Sequence, residues 1–176
     1  GGLAPPYIRA ATEYRDARDT KDRLQIFRQF AHDLLAVLGY ERKLQQPIDA
    51  NGSWVPALAR IARSDGTDLI WIVEALSPAG EDFVTDPLAL DISVDLAPPD
   101  VDALPDRRQG NYEDAIATGI FGLDHPPRFV LVFSMAQILL IDRNKWAESR
   151  LLRFDFAEIF SRKESATLQA VASLLH

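Results

Sequence analysis

The chain has no cysteine, a single methionine and three histidines among its 176 residues. Without cysteine there can be no disulfide bond, thiolate metal site or cysteine nucleophile. The histidines His32, His125 and His176 are spaced too widely for a metal motif, and no serine nucleophile with an evident partner accompanies them. No apolar run approaches the roughly 18 residues that a membrane span needs, and the N-terminus lacks a signal-peptide pattern. We therefore expect a cytoplasmic protein without a membrane partner.

Length and composition indicate one globular domain. Hydrophobic residues make up 47% of the chain and charged residues 26%, which is ordinary for a globular protein with a real core. Gly1 and Gly2 resemble an expression scar, and the apolar pattern of the last helix still runs at His176. We expect residues 1–176 to form a single domain excised from a longer chain.

The acidic charge is concentrated in one segment. The net charge is -7, yet residues 77–106 hold eight acidic residues and neither lysine nor arginine, which leaves 19 basic against 18 acidic residues elsewhere. The overall charge therefore does not exclude a nucleic-acid partner for the remaining surface.

Apolar spacing and turn residues predict the elements of the first half. Leucine, phenylalanine and alanine at spacings of three and four predict a helix that Asp19 or Thr20 caps and Gly39 ends. Asn51-Gly52 and Asp65-Gly66 suit tight turns. These turns separate three predicted strands, which would form an antiparallel meander. The strands are residues 43–48, 54–63 and 68–76.

The second half predicts a long loop, a helix and more strands. Five prolines and the acidic residues favour a loop over residues 77–109, with one short strand near residues 88–94. The remaining predicted elements are a helix over 112–121 capped by Asn111 and ended by Gly122, strands 129–133, 138–141 and 151–154, a helical turn at 156–160, and a last helix over 164–175.

This order of elements resembles that of the restriction-endonuclease-like core, and we expect an α+β fold in which helices flank a mixed sheet with an antiparallel meander. Cleavage on such a core needs two carboxylates to hold a divalent metal and a lysine beside the second one. Glu74 ends the most apolar strand and is the candidate second carboxylate. Leu76 stands where the lysine is expected, and residues 54–59 carry no acid.

Two interpretations of Glu74 stay open. The one we favour is a buried carboxylate that pairs with an arginine or accepts hydrogen bonds from loop amides, since an unpaired buried charge is costly. The other is a catalytic residue of a Mg²⁺-dependent nuclease, joined by Asp91, Asp95 or another acid of the long loop. We expect no cofactor, with Mg²⁺ bound only if the domain is an active nuclease.

Basic residues suggest a nucleic-acid surface. Arg107 and Arg108 precede a predicted helix, whose N-terminus suits phosphate groups. A second group comprises Arg143, Lys145 and Lys163, with Arg150, Arg153 and Arg162 nearby. Acidic residues are interleaved with this second group, so a salt-bridged surface is the simpler alternative, and the one we favour.

The last third of the chain carries a family resemblance, in residues 127–132 (PRFVLV), 140–146 (LIDRNKW), 152–156 (LRFDF), 158–160 (EIF) and 165–170 (SATLQA). It resembles the N-terminal region of large adenine-specific DNA methyltransferases of type II restriction-modification and related phage-defence systems. The resemblance implies a nuclease-like or DNA-engaging accessory domain that precedes a methyltransferase domain. The implied partners are DNA and the methyltransferase domain of the same parent chain.

The residues of this chain include neither a glycine-rich cofactor loop nor the Asn-Pro-Pro-Tyr or Asp-Pro-Pro-Tyr signature of methyl transfer. Our leading hypothesis is a catalytically degenerate nuclease fold that contacts DNA or serves as a scaffold. The alternatives are an active Mg²⁺-dependent DNA endonuclease domain and a protein-interaction module that uses the exposed edge of the meander.

Overall fold

The computed structural model describes residues 2–40, 48–97, 110–161, 169, 172 and 173. Two helices open the chain, and strands with two shorter helices follow. The helices are α1 (Ala4–Asp16), α2 (Thr20–Val37), α3 (Tyr112–Asp114, continued by a π-helical turn over Ala115–Ile120) and α4 (Phe156–Ser161). The strands are β1 (Ile48–Ala50), β2 (Ser53–Val55), β3 (Ala57–Ala62), β4 (Asp68–Glu74), β5 (Phe129–Phe133), β6 (Gln137–Asp142) and β7 (Leu151–Asp155).

A five-stranded mixed sheet with the order β3-β4-β5-β6-β7 forms the centre of the fold. Strands β4 and β5 are parallel, and the other neighbouring pairs are antiparallel. Helix α3 lies on the crossover between the two parallel strands, as such a connection requires. The predicted α+β class and the mixed sheet flanked by helices are confirmed.

The predicted three-stranded meander is only partly right. Strands β1 and β2 form a separate two-stranded sheet, while β3 pairs with β4 in the large one. The predicted strand over residues 54–63 is divided at Pro56, which has no N–H to donate to a ladder. Its carbonyl still accepts the N–H of Glu74 at 3.0 Å. Residues 43–47 of the first predicted strand lie outside the described residues.

Helix α2 has the boundaries that its sequence predicts. The Asp19 side chain accepts the N–H of Lys21, and Gly39 follows the helix at a φ of 84°. Helix α1 was not predicted; Pro5 and Pro6 stand in its first turn, where a missing N–H costs little. Helix α1 packs against α2 and α4, while α2 packs on the sheet through Phe27 and Phe30, whose rings contact Phe133 of β5. Around Phe156 the rings of Tyr7, Phe30, Phe133 and Phe160 lie at centroid distances of 5.4 to 5.9 Å.

Gly122 follows helix α3 where the last turn of that helix and Asn51, between β1 and β2, come close. Asn51 donates through its side-chain amide to the carbonyls of Thr118 and Gly119 at 3.2 and 3.3 Å. A Cβ on Gly122 would lie 2.3 Å from the Thr118 carbonyl oxygen and 2.6 Å from the Asn51 amide nitrogen. The helix end therefore needs glycine because of this close approach, not because of a positive φ.

The predicted short strand at residues 88–94 is wrong. This part contains two 3₁₀ turns, Pro87–Ala89 and Val94–Leu96, whose N-caps are Asp86 and Ser93. The cap side chains satisfy backbone N–H groups locally, so the segment does not need a strand partner. The predicted strands in β5, β6 and β7 and the turn in α4 are confirmed. The predicted last helix lies mostly outside the described residues.

Candidate functional site at the end of strand β4

Glu74 is the last residue of β4 and is only 3% exposed. It pairs with Phe133 in the parallel neighbour β5, so both residues lie at the carboxyl ends of adjacent parallel strands. In open sheets, the crevice outside such strand ends is the usual ligand position. Glu74 is therefore at a position suited to a ligand-binding carboxylate. Its contacts show whether the carboxylate is free to bind a ligand.

Arg28 of helix α2 forms an ion pair with this carboxylate. The Arg28 Nη2 atom lies 2.6 Å from Oε1 of Glu74, and Nε donates to Oε2 at 3.4 Å. The same Nη2 atom also donates to the carbonyl of Leu96 at 3.1 Å. The guanidinium thus joins the helix, the strand end and the acidic segment that follows the strand. The arginine pairing of Glu74, one of the two interpretations from the sequence, is confirmed.

Tyr112 fixes the backbone at the same point. Its hydroxyl donates to the main-chain carbonyl of Glu74 at 2.5 Å, and the side chain is almost fully buried. Burial, and secondly the negative charge of Glu74, raise the pKa of Tyr112 well above its ordinary value. Tyr112 therefore stays a neutral hydrogen-bond donor that ties helix α3 to the strand end.

The described residues do not assemble a metal site around Glu74. Leu76 is buried, and the facing residues Pro56 and Ala57 carry no oxygen ligand in their side chains. Asp91 is exposed and forms an isolated bridge with Asn111. Within the described ranges, no three acids, histidines or cysteines come together as a metal centre would need. The described residues around Glu74 therefore do not fit Mg²⁺, which requires several converging hard oxygens.

The three acids near the turns hold local structure. Asp49 accepts the N–H of Gly52 at 2.6 Å, and Asp65 accepts the N–H of Thr67 at 2.9 Å. Asp68 forms an ion pair with Arg60 and accepts the indole N–H of Trp71 at 2.9 Å. These carboxylates serve their own turns and strand.

A second network, which the sequence analysis missed, surrounds Arg23 of helix α2. Arg23 is 2% exposed, and its Nε donates to the carbonyl of Tyr14 at 2.9 Å. Its Nη1 donates to the carbonyls of Ser77, Pro78 and Glu81 at 3.2, 2.8 and 3.1 Å. The guanidinium also lies 4.6 Å from the centroid of the Tyr14 ring. Arg23 therefore holds the start of the acidic segment against the corner between α1 and α2.

The structure describes two of the five predicted nucleic-acid-binding residues. Arg143 and Lys145 are exposed on a 3₁₀ turn, Arg143–Glu148, that follows β6. Asp142 at the end of β6 pairs with Phe129, whereas Glu74 pairs with Phe133. The basic turn and Glu74 are therefore at opposite ends of the sheet, about 13 Å apart along the strands. Arg107, Arg108 and Lys163 lie outside the described residues.

The predicted salt-bridged surface is present for some of the basic residues. Arg150 pairs with Glu148 at 3.3 Å, and Arg153 pairs with Asp86 at 2.7 Å. Arg143 and Lys145 take part in none of the ion pairs formed by the described part of the chain. Both side chains are exposed and therefore remain available to an anionic partner.

Over the described ranges, no helix has both the length and the apolar character of a membrane span. Comparison of the chain with family models, with curated proteins and with solved structures finds no match.

Proposed function

We propose that this chain is a non-catalytic accessory domain with a restriction-endonuclease-like core, and that it engages DNA for an adenine-specific methyltransferase of a restriction-modification or phage-defence system. The sequence resemblance over residues 127–176 motivates the choice of system. The order of helix, antiparallel strand pair, crossover helix and parallel strand supports the core. The methyltransferase domain of the parent chain would be the second partner.

The ion pair between Glu74 and Arg28 is the observation that supports a non-catalytic domain. A metal ion at this carboxylate would have to compete with the guanidinium, which also donates to the Leu96 carbonyl. Leu76 can neither activate water nor pair with a phosphate. The strand end therefore has the contacts of a structural anchor, and a nuclease would need ligands that the described residues do not bring together.

The DNA-engaging part of the proposal rests on the basic turn after β6. The Nε of Arg143 donates to the carbonyl of Pro127 at 3.3 Å, which fixes the guanidinium next to the start of β5. Lys145 stands two positions further on the same exposed turn. Two unpaired cations on a short, fixed turn are suited to backbone phosphates, which position a protein on DNA without reading its sequence.

Replacement of Arg143 and Lys145 together by alanine is expected to weaken duplex DNA binding and to flatten its salt dependence. Each lost phosphate contact should reduce the slope of log K against log salt by about one unit. The measurement is fluorescence anisotropy of a labelled duplex at several salt concentrations. The expectation is uniform weakening across unrelated duplex sequences.

The matched control replaces Arg9 and Arg18, two exposed arginines of the α1 region, by alanine. This variant has the same change in net charge, so it should keep the wild-type slope if binding is local to the turn after β6. Equal slopes for both double variants would contradict the role of Arg143 and Lys145. A wild-type chain without measurable DNA affinity would contradict the proposal itself.

A further inference from the structure

An apolar groove of about 350 Å³ lies between helices α1 and α4. Tyr7, Phe83 and Phe160 contribute to its floor. Ile8 and Val84 line it while 60% and 55% exposed, and both belong to the small set of strongly exposed large apolar side chains in the described residues. A groove whose floor and rim are both apolar marks an interaction site more often than a bare surface does.

Two opposite charges line the same groove, and neither forms an ion pair with another described residue. The Arg15 guanidinium lies 5.3 Å from the centroid of the Phe83 ring. The Asp155 carboxylate accepts the N–H of Glu158 at 3.1 Å through one oxygen. Neither residue belongs to the ion pairs found in the described ranges. Burial, and secondly the charge of Asp155, raise the pKa of Tyr7 to about 12, while Arg15 acts in the opposite direction.

The low exposure of the aromatic rings in the groove distinguishes a protein ligand from a nucleotide. Tyr7, Phe83 and Phe160 are only 5%, 8% and 7% exposed, so they offer little ring face to a ligand. A nucleobase binds such a site mainly by stacking on an open aromatic face. The accessible apolar surface belongs instead to aliphatic side chains, which favour apolar side chains of a protein.

We propose that the groove between α1 and α4 binds an amphipathic helix of a protein partner. Apolar side chains of that helix, at spacings of three and four residues, would fill the groove between Ile8 and Val84. An acidic side chain of the helix would face Arg15, and a basic one would face Asp155. The opposite charges of Arg15 and Asp155 would thus set the orientation of the helix. This inference does not depend on DNA binding at the turn after β6.

The test uses the whole 176-residue chain and a fluorescein-labelled probe peptide. The peptide has about 18 residues, long enough to be helical, with leucines on one face, a glutamate on one flank and a lysine on the other. Ile8→Gln combined with Val84→Gln is expected to weaken binding by about tenfold or more, because both apolar contacts are lost without a change in charge. Val37→Gln combined with Leu152→Gln, at positions 62% and 54% exposed outside the groove, is the matched control and should bind like wild type.

Charge reversal gives a second, independent readout. Arg15→Glu should weaken binding of this peptide, and a peptide with lysine in place of the glutamate should restore it. No binding of either peptide to the wild-type chain, or equal losses in both glutamine variants, would overturn the proposal. Displacement of the peptide by adenosine monophosphate would overturn it as well and assign the groove to a nucleotide.

Discussion

Replacing Arg28 by alanine is expected to lower the free energy of unfolding by about 3 kcal/mol, because it leaves the buried Glu74 carboxylate without its cation. The side chain of Arg28 is itself 21% exposed, which places the expectation at the lower end of the range for broken buried pairs. The carbonyl of Leu96 also loses a donor. Urea denaturation, followed by far-UV circular dichroism, measures the change.

Arg150→Ala is the matched control for this prediction. It removes the same side chain from an exposed pair, where the partners Arg150 and Glu148 are 70% and 55% exposed, and should change stability by less than about 1 kcal/mol. Arg28→Met combined with Glu74→Leu should be more stable than Arg28→Met alone, since no unpaired charge remains buried. Similar losses for Arg28→Ala and Arg150→Ala would contradict the anchoring role of Glu74.

Arg23→Met should be about as destabilising as Arg28→Ala, with a loss of about 3 to 4 kcal/mol. Methionine keeps much of the volume of the side chain but donates no hydrogen bond. The acceptors that lose their donor are the carbonyls of Tyr14, Ser77, Pro78 and Glu81. Buried or half-buried carbonyls without a donor each cost free energy, and the segment after β4 also loses its attachment to α2. The same urea experiment measures this change.

Arg23→Lys separates charge from geometry at this position. Lysine keeps the positive charge but lacks the planar guanidinium. It therefore cannot donate to the carbonyl of Tyr14 and to the three later carbonyls at the same time. It should recover only part of the stability. Arg18→Met, an exposed arginine between α1 and α2, should be close to wild type. Full stability of Arg23→Met would show that the network around Arg23 contributes little to the fold.

The helices and strands that depend on neighbouring residues were predictable from short sequence patterns. Helix α2 was predictable because Asp19 caps it, its apolar residues follow a helical spacing and Gly39 ends it. Strands β5 and β6 were predictable from two apolar runs separated by a short turn. Helix α1 was not predicted, although Tyr7, Ala11 and Tyr14 have a helical spacing and the two prolines at its start stand in the first turn, where a helix tolerates them.

The partners of the candidate site depend on contacts far apart in sequence. Arg28 and Glu74 are separated by 46 positions, and no local pattern selects this arginine from the others on the chain. A signal for Arg23 was present. It stands four residues before Phe27 and seven before Phe30, so it lies on the apolar face of α2, where a charged residue must find buried acceptors. The sequence therefore predicts Glu74 and places Arg23 on the apolar face of α2, but it does not identify Arg28 as the partner of Glu74.

The pairing of the basic residues also depends on contacts that are distant in sequence. Proximity in sequence placed Arg143, Lys145, Arg150 and Arg153 in one group. The structure pairs Arg150 and Arg153 with acids and leaves Arg143 and Lys145 unpaired. Which cations are neutralised depends on contacts such as Arg153 with Asp86, which are 67 positions apart.

Titration of the domain with duplex DNA, with and without Mg²⁺, tests most directly whether Glu74 is a structural anchor or a metal ligand. Binding and strand cleavage are followed together for the wild-type chain and for Glu74→Gln, whose amide oxygen can still accept from Arg28. The expected result is salt-sensitive binding of both proteins without Mg²⁺-dependent cleavage. Cleavage by the wild-type chain that requires Mg²⁺ and is lost in Glu74→Gln would contradict the structural role and assign the domain to the active nucleases.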